Sequence, residues 1–373
     1  MRPNLALPLL LVACAGNAQQ NSPSTSAKPF AETVIADFDA PWAMAFLPDG
    51  RMLVTEKAGQ LLLVSADGRA RQIVTGTLPV DSAGQGGLMD VVLAPGFATN
   101  GLVYFSFSES GAGGKGVVLA RGKLVETSGA AALENVEVLH RATPYVPGSG
   151  HYSGRIAFSP DGQYLFYANG ERQKFDPAQD PKSSLGKVLR LTLDGKPAPG
   201  NPLAAKGFDA AIWSYGHRNI LGLAFDATGN LWEQEMGPKG GDELNLIEPA
   251  KNYGYPKVSN GSHYNGRDIP DHAPGDGFEA PKQFWTPVIS PGGLIIYSGN
   301  LFPAWKGDAF IGGLSSQALV RVDIEGTNAK KGDQFDMGAR IREVEQGPDG
   351  AIYVLEDGDD GSQGRLIKLT PKA

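Results

Sequence analysis

Residues Trp42–Glu56 read WAMAFLPDGRMLVTE: an apolar run, a Pro-Asp-Gly turn, and a second run rich in β-formers. The phrase returns as GRIAFSPDGQYLFYANG from Gly154 and as IREVEQGPDGAIYVLED from Ile341. Looser copies are VVLAPGFATNGLVYFSF from Val91 and LGLAFDATGNLWEQE from Leu221. A sixth lies around Gly292 to Gly312, where GGLIIYSG leads into DAFIGGL. Proline presets φ at the second turn position, and Asp and Gly tolerate the conformations that follow. Alternating Val, Ile, Leu, Phe and Tyr on both sides are strand signals.

A closing strand follows several copies: QLLLV from Gln60, KVLRLTL from Lys187, ALVRVDI from Ala318 and RLIKL from Arg365. The repeating unit is therefore a small antiparallel sheet. Such sheets repeated about an axis make a β-propeller, and six fit the length. The expectation is an all-β, six-bladed β-propeller of four-stranded antiparallel sheets, one domain over residues 31–373. A large β-sandwich would not need this self-similarity. Composition agrees: 373 residues with 50 Gly and 27 Pro are turn-dense, and 41% apolar content is enough for a core. The net charge is -7 without a Lys/Arg run, which argues against nucleic acid as a partner.

Residues 1–13, MRPNLALPLLLVA, read as a secretory signal: one Arg, then an apolar run too short to span a bilayer. The only cysteine, Cys14, follows Leu11-Val12-Ala13 in a pattern resembling a lipobox. This predicts cleavage before Cys14, a lipid anchor on its thiol and a periplasmic, membrane-anchored location. Cleavage after Ala15, Gly16 or Ala18 is the alternative. Residues 14–30 read as a flexible tether.

In such a propeller, polar residues from several blades converge at one mouth, so candidates should lie just outside the strand phrases. Gln85, His151, Arg218, Asn219, Arg340 and Arg342 all lie just before or at the start of one. His151 can take a proton from a hydroxyl near neutral pH, or be a loop histidine bonded to a carbonyl. Arg340 and Arg342 alternate along a strand; two guanidiniums on one face repel unless an anion lies between them. From Glu235 the chain reads EMGPKGGDELNLIEPAKNYGYP. A Gly237-Pro238 step among glycines, with Asp242, Glu243 and Tyr253 nearby, offers carbonyl and carboxylate oxygens to a hard cation of the calcium type.

These phrases carry a resemblance. PWAMAFLPDGRMLVTE, GQGGLMDVVLAPGFA, H-x-x-G-R-I-A-F, LGKVLRLTLDG, IWSYGHRNILGLAF, GPKGGDELNLIEPAKNYGYP and ARIREVEQGPDGAIYVL occur in order over most of residues 40–369. The chain resembles the soluble, pyrroloquinoline quinone (PQQ)-dependent aldose sugar dehydrogenases, relatives of soluble quinoprotein glucose dehydrogenase. The resemblance implies His151 as the catalytic base at the sugar's anomeric hydroxyl. It implies Gln85, Arg218, Asn219, Arg340 and Arg342 as cofactor-binding residues. It also implies a calcium held by the carbonyls of Gly237 and Pro238, and a second, structural calcium at Glu243 and Tyr253. Trp285, in KQFWTPVISPGG, is the candidate for stacking on the sugar.

Three positions depart from quinoprotein glucose dehydrogenase. Gly150 stands where it has an aspartate, and Ser315 or Ser316 where it has a lysine. A pocket glutamine corresponds to either Gln173 or Gln179. The implied reaction oxidises an aldose to its lactone. With no C-x-x-C-H haem motif, electrons must leave to an external acceptor. A propeller that only binds carbohydrate or a partner, and a calcium-dependent lactonase, are the competing readings.

Overall fold

The computed structural model describes residues 26–359 and 361–372. The signal segment, Cys14 and most of the tether lie outside the described residues.

The strands group as four four-stranded sheets and one of eight. The eight-stranded sheet is two antiparallel sets of four, Pro41–Thr75 and Leu88–Arg141. They are joined edge to edge by a short parallel pairing of Val74 with Ala131 and Thr75 with Ala132. The remaining units begin at Ser153, Ile220, Pro291 and Ile341. The innermost strands, Pro41–Phe46, Leu88–Leu93, Ser153–Phe158, Ile220–Phe225, Pro291–Ile296 and Ile341–Gln346, each contact the next, and the last contacts the first. The result is a closed ring of four-stranded sheets, the radial architecture that the repeats predict.

The turns form as the sequence requires. Gly50, Gly162 and Gly350 have φ of 87°, 68° and 79°. Their amides close turns onto Leu47, Ser159 and Gly347 at 2.8–2.9 Å. The strands Met52–Glu56 and Leu61–Val64 are buried at every residue, because both faces of each sheet are covered by neighbours. Among the described residues helix is confined to one turn, Phe97–Asn100, and three short 3-10 segments.

The ring closes by joining the chain's ends: Phe30–Asp37 pairs antiparallel with Arg365–Pro371. The strand starts at Phe30, so the last residue of the expected tether is the first of the sheet. Phe30 sits edge-on to Phe335 (5.2 Å) and Trp305 (6.3 Å). We expect Phe30→Ala to cost about 3–5 kcal/mol, as for other buried aromatics. Urea unfolding followed by tryptophan fluorescence reads this out.

One irregularity recurs. Each innermost strand has a register shift near its start: Pro41/Ala43, Leu88/Val91, Ser153/Ile156, Ile220/Gly222, Pro291/Leu294 and Ile341/Glu343. Bulges twist a strand and re-aim its side chains. All six lie at the same end of the ring, and there the polar residues gather.

Candidate active site

Two adjoining cavities of about 290 and 400 Å³ share Gln85, Met236 and Ser290 as walls. A third, of about 260 Å³, shares His151, Arg218, Pro238 and Tyr264 with the second. Across these three, the structure brings together Gln85, His151, Arg218, Asn219, Gly237, Pro238, Arg340 and Arg342. Separate units of the ring deliver them, each from the segment at its inner end.

His151 is buried, and its amide donates to Gln85 Oε1 at 2.7 Å. Its Nδ1 makes a short hydrogen bond to Glu171 Oε1. Burial pulls the imidazole below its ordinary value; Glu171 resists, and the Arg218 and Arg172 charges add to the lowering. Burial pushes Glu171 the other way, but the bond to His151 and the amide of Phe175 win, leaving it below the usual carboxylate range. At neutral pH the pair is therefore imidazole and carboxylate. With Nδ1–H donated to Glu171, Nε2 presents a lone pair.

Glu171 also holds the next loop. Its Oε2 accepts the amides of Lys174 (2.5 Å) and Phe175 (2.7 Å). The Arg172 guanidinium lies 3.6 Å over the Tyr152 ring and donates to the carbonyls of Gly150 and Gly148. Ten non-glycine residues among those described have positive φ; His151, Ser153, Arg172, Gln173 and Phe175 are five of them. Backbone strain persists only where surroundings over-determine it, and it clusters at ligand clamps.

Arg218 donates to the carbonyls of Met236 (2.9 Å) and Gly237 (2.6 Å). The turn of Gly237 thus presents its oxygens to a cation. Asp242 fixes that turn: Oδ1 accepts from Gly237, and Oδ2 from Ile289 and Ser290, all within 2.7–2.8 Å. Burial pushes its carboxyl up to about 6 against these bonds. A Cβ at residue 237 would collide with the Gly241 carbonyl, which explains the glycine.

Arg340 and Arg342 share an anion supplied by the chain. Asp357 Oδ2 is 2.6 Å from Arg340 Nε and 3.6 Å from an Arg342 nitrogen. Burial pulls Arg342 down to about 10; Asp357 resists, while Arg340 and Arg155 add to the lowering. Lys57, absent from the sequence-based set, lines the same cavity and adds a cation. Ser315 and Ser316 lie in the turn behind Leu314, which is the residue on the wall.

Other expectations change. Trp285 does not reach the mouth. It is 6% exposed on the outermost strand Gln283–Trp285, within the hydrophobic cluster of Trp232, Leu244 and Ile289. Its successors Thr286 and Pro287 line the cavity instead. The aromatic rings at the rim are Tyr264, 76% exposed, and Phe175, 43% exposed. Of the two glutamines, Gln173 lines the cavity with His151. Gln179 is committed to Asn252 and the Tyr255 carbonyl. A side chain at residue 150 would meet the Gln173 amide at 2.7 Å, so glutamine occupies the space that an aspartate would need.

Glu243 and Tyr253 lie behind the mouth, inside the fourth unit. They border a void of about 10 Å³ together with Arg218, Glu235 and Gly237. A void of that size has room for about one small ion or water. The Tyr253 hydroxyl is taken: it donates to Leu246 O at 2.6 Å and accepts from Glu248 N at 2.9 Å. Glu243 is pushed far up by burial and by the neighbouring Glu235 charge. Carboxylates held this way suit a cation.

Known proteins resemble this chain in sequence and fold. The sequence profile of the family described as Glucose / Sorbosone dehydrogenase matches residues 38–368. The chain is 36% identical to aldose sugar dehydrogenase YliI of Escherichia coli (strain K12), over 98% of each protein. The apo-form crystal structure of the soluble E. coli aldose sugar dehydrogenase superposes with TM-score 0.86 at 36% identity, covering 92% of this chain and 100% of that one. The PQQ-bound form of the aldose sugar dehydrogenase from Streptomyces coelicolor superposes with TM-score 0.74 at 30% identity, covering 93% and 99%.

Proposed function

The chain belongs to the glucose/sorbosone dehydrogenase family, and from that premise we propose that it oxidises aldose sugars at the anomeric carbon to lactones, using PQQ and calcium. The observation that carries this reading is the His151–Glu171 pair opening onto a cavity walled by cations. In this proposal electrons pass to an external acceptor. Export and lipid anchoring at Cys14 belong to the same proposal and rest on residues 1–14 alone.

The residues fit the cofactor. PQQ is a planar tricarboxylate, and the mouth holds Lys57, Arg340, Arg342 and Arg218 around adjoining cavities. Guanidinium forks suit carboxylates. The Gly237 carbonyl, already turned toward a cation, and Pro238 on the cavity wall fit an oxygen-liganded calcium. When bound, the quinone supplies a hydride acceptor and calcium polarises its carbonyl.

This chain's part is to bind, orient and move a proton. His151 Nε2 takes the proton of the anomeric hydroxyl as the C–H bond at that carbon breaks, and Glu171 stabilises the imidazolium that results. Gln85, on the His151 amide, fixes the base against the cavity wall. Tyr264 and Phe175, on the rim beside the base, offer the sugar an apolar face in place of Trp285.

The test adds PQQ and calcium to the purified protein, follows the quinone spectrum, and assays dye reduction with several aldoses. Spectral change and turnover are expected; the absence of both quinone binding and turnover with any sugar removes the reading. Turnover of a lactone without quinone would favour the hydrolase instead. We further expect Arg342→Ala to weaken PQQ binding about ten- to a hundredfold, since hydrogen bonds to charged groups contribute about 1.5–3 kcal/mol. Equilibrium titration of quinone absorbance measures this without relying on turnover.

A further inference from the structure

Deep in the fourth unit, beside the void that Glu235 and Tyr253 border, lies a ligand set that the redox reading does not use. His217 is fully buried, with its ring stacked on Tyr253 at 4.6 Å. Its Nε2 lies 2.8 Å from Ser214 Oγ, which pins the ring and gives that nitrogen a partner. Nδ1 then faces Glu233 and Glu235, same-face residues of the strand Leu231–Glu235, at 3.5 Å from Oε1 of each.

That distance is informative. A protonated imidazole bonded to a carboxylate settles at about 2.7–2.9 Å. Two donors of one tetrahedral ion, with metal–nitrogen and metal–oxygen bonds near 2.0–2.2 Å, stand about 3.4 Å apart. Both nitrogen–oxygen separations meet that spacing, and the three atoms lie within 4.8 Å of one another.

Two further observations point to a ligand. His217 Nδ1 and Glu233 Oε2 are buried and make no hydrogen bond. Buried polar atoms without a partner are rare in native proteins. The charge is also unbalanced: Glu233 and Glu235 are both buried against one imidazole, and the neutral Asn245 amide (2.8 Å from Glu233) is what separates them from Glu243 (3.2 Å), the acid of the proposed calcium position. Packing carboxylates together without a cation is costly in a dry interior.

We infer that His217 Nδ1, Glu233 and Glu235 form a buried centre for a first-row divalent cation of the zinc type. The nitrogen donor separates it from the calcium positions proposed above, since calcium takes oxygen ligands whereas imidazole suits zinc and its neighbours. The Ser214–His217 bond is the outer contact that metal-bound histidines usually make. The centre's role is structural. Glu235 Oε2 accepts the amides of Arg218 (2.5 Å) and Asn219 (3.1 Å), so an ion on Glu235 fixes the backbone that carries two mouth residues.

Because the site is sealed, the ion must enter as the chain folds. The experiment expresses the full chain with zinc supplied and measures metal content after exhaustive dialysis. It then unfolds the protein with chelator and refolds it with cobalt(II) alone. One zinc per chain is expected, and visible bands of tetrahedral cobalt after refolding. His217→Gln and the near-isosteric Glu233→Gln should both lose zinc and the bands. If His217→Gln fails to fold, Glu233→Gln decides. Wild-type protein without zinc and without cobalt bands overturns the inference, as does a Glu233→Gln protein that keeps both. Sugar turnover plays no part, so failure here is separate from failure of the dehydrogenase reading.

Discussion

His151→Gln will leave PQQ binding and the melting temperature close to wild type and lower kcat with any aldose by about two to four orders of magnitude, the usual contribution of a general base. Glutamine keeps a polar side chain of similar reach but cannot accept a proton. The backbone amide on Gln85 is retained, so the strand should start as before. The pH profile carries a second signature. Burial lowers the folded pKa of His151 below its ordinary 6.5. The base works when neutral, so kcat/KM should be flat at neutral pH and fall as pH drops through a value below 6.5. A wild-type acid limb above that ordinary value contradicts the environment described here, and a His151→Gln variant with unchanged kcat removes the histidine from the chemistry.

The fold was legible because turn chemistry and strand alternation are local. Pro48-Asp49-Gly50 and its counterparts specify a hairpin wherever they occur, and the ring follows from their repetition. The mouth residues were legible for a related reason: Gln85, His151, Arg218 and Arg340 each precede an innermost strand. What could not be read was pairing between the two loops at the inner end of one unit. Glu171 and Asp357 lie just past second strands, and whether each turns back onto the residue ahead of its unit's first strand depends on loop conformation that local pattern does not encode. A signal was nevertheless present, since an acid ends the second strand of three units at Glu56, Glu235 and Glu356. Each of these accepts backbone amides close to its own unit: Asp39, Arg218 and Arg365, in turn. Trp285 follows from the resemblance alone, and sequence does not say that its three-residue strand is the outermost of its sheet, far from the axis. The arginine pair needs an anion between its guanidiniums, and Asp357 of the same unit already supplies one. A bound carboxylate must therefore join that aspartate rather than find the pair empty.

The second large effect belongs to Glu171, which touches no part of the proposed substrate path yet serves two clients at once. One oxygen orients His151; the other carries the amides of Lys174 and Phe175. A glutamine cannot do both. If its carbonyl faces the loop, its NH2 faces Nδ1 and selects the tautomer with hydrogen on Nε2, where the lone pair is needed. If its carbonyl faces Nδ1, its NH2 opposes two backbone donors, and the strained Arg172–Phe175 loop loses its anchor. In serine proteases, replacing the orienting aspartate by its amide leaves the imidazole in the wrong tautomer and lowers kcat by about four orders. We expect Glu171→Gln to lose about 10²–10⁴ in kcat, with PQQ affinity unchanged because the cavity cations are elsewhere. The residual activity should have its acid limb shifted to lower pH, since Glu171 raises the imidazole's proton affinity and its removal leaves burial and the Arg218 charge unopposed. A merely structural role would lower the melting temperature and leave that limb in place. Wild-type kcat in Glu171→Gln, or a slow variant with an unshifted limb, would show that the carboxylate holds the loop alone and that His151 finds its tautomer without it.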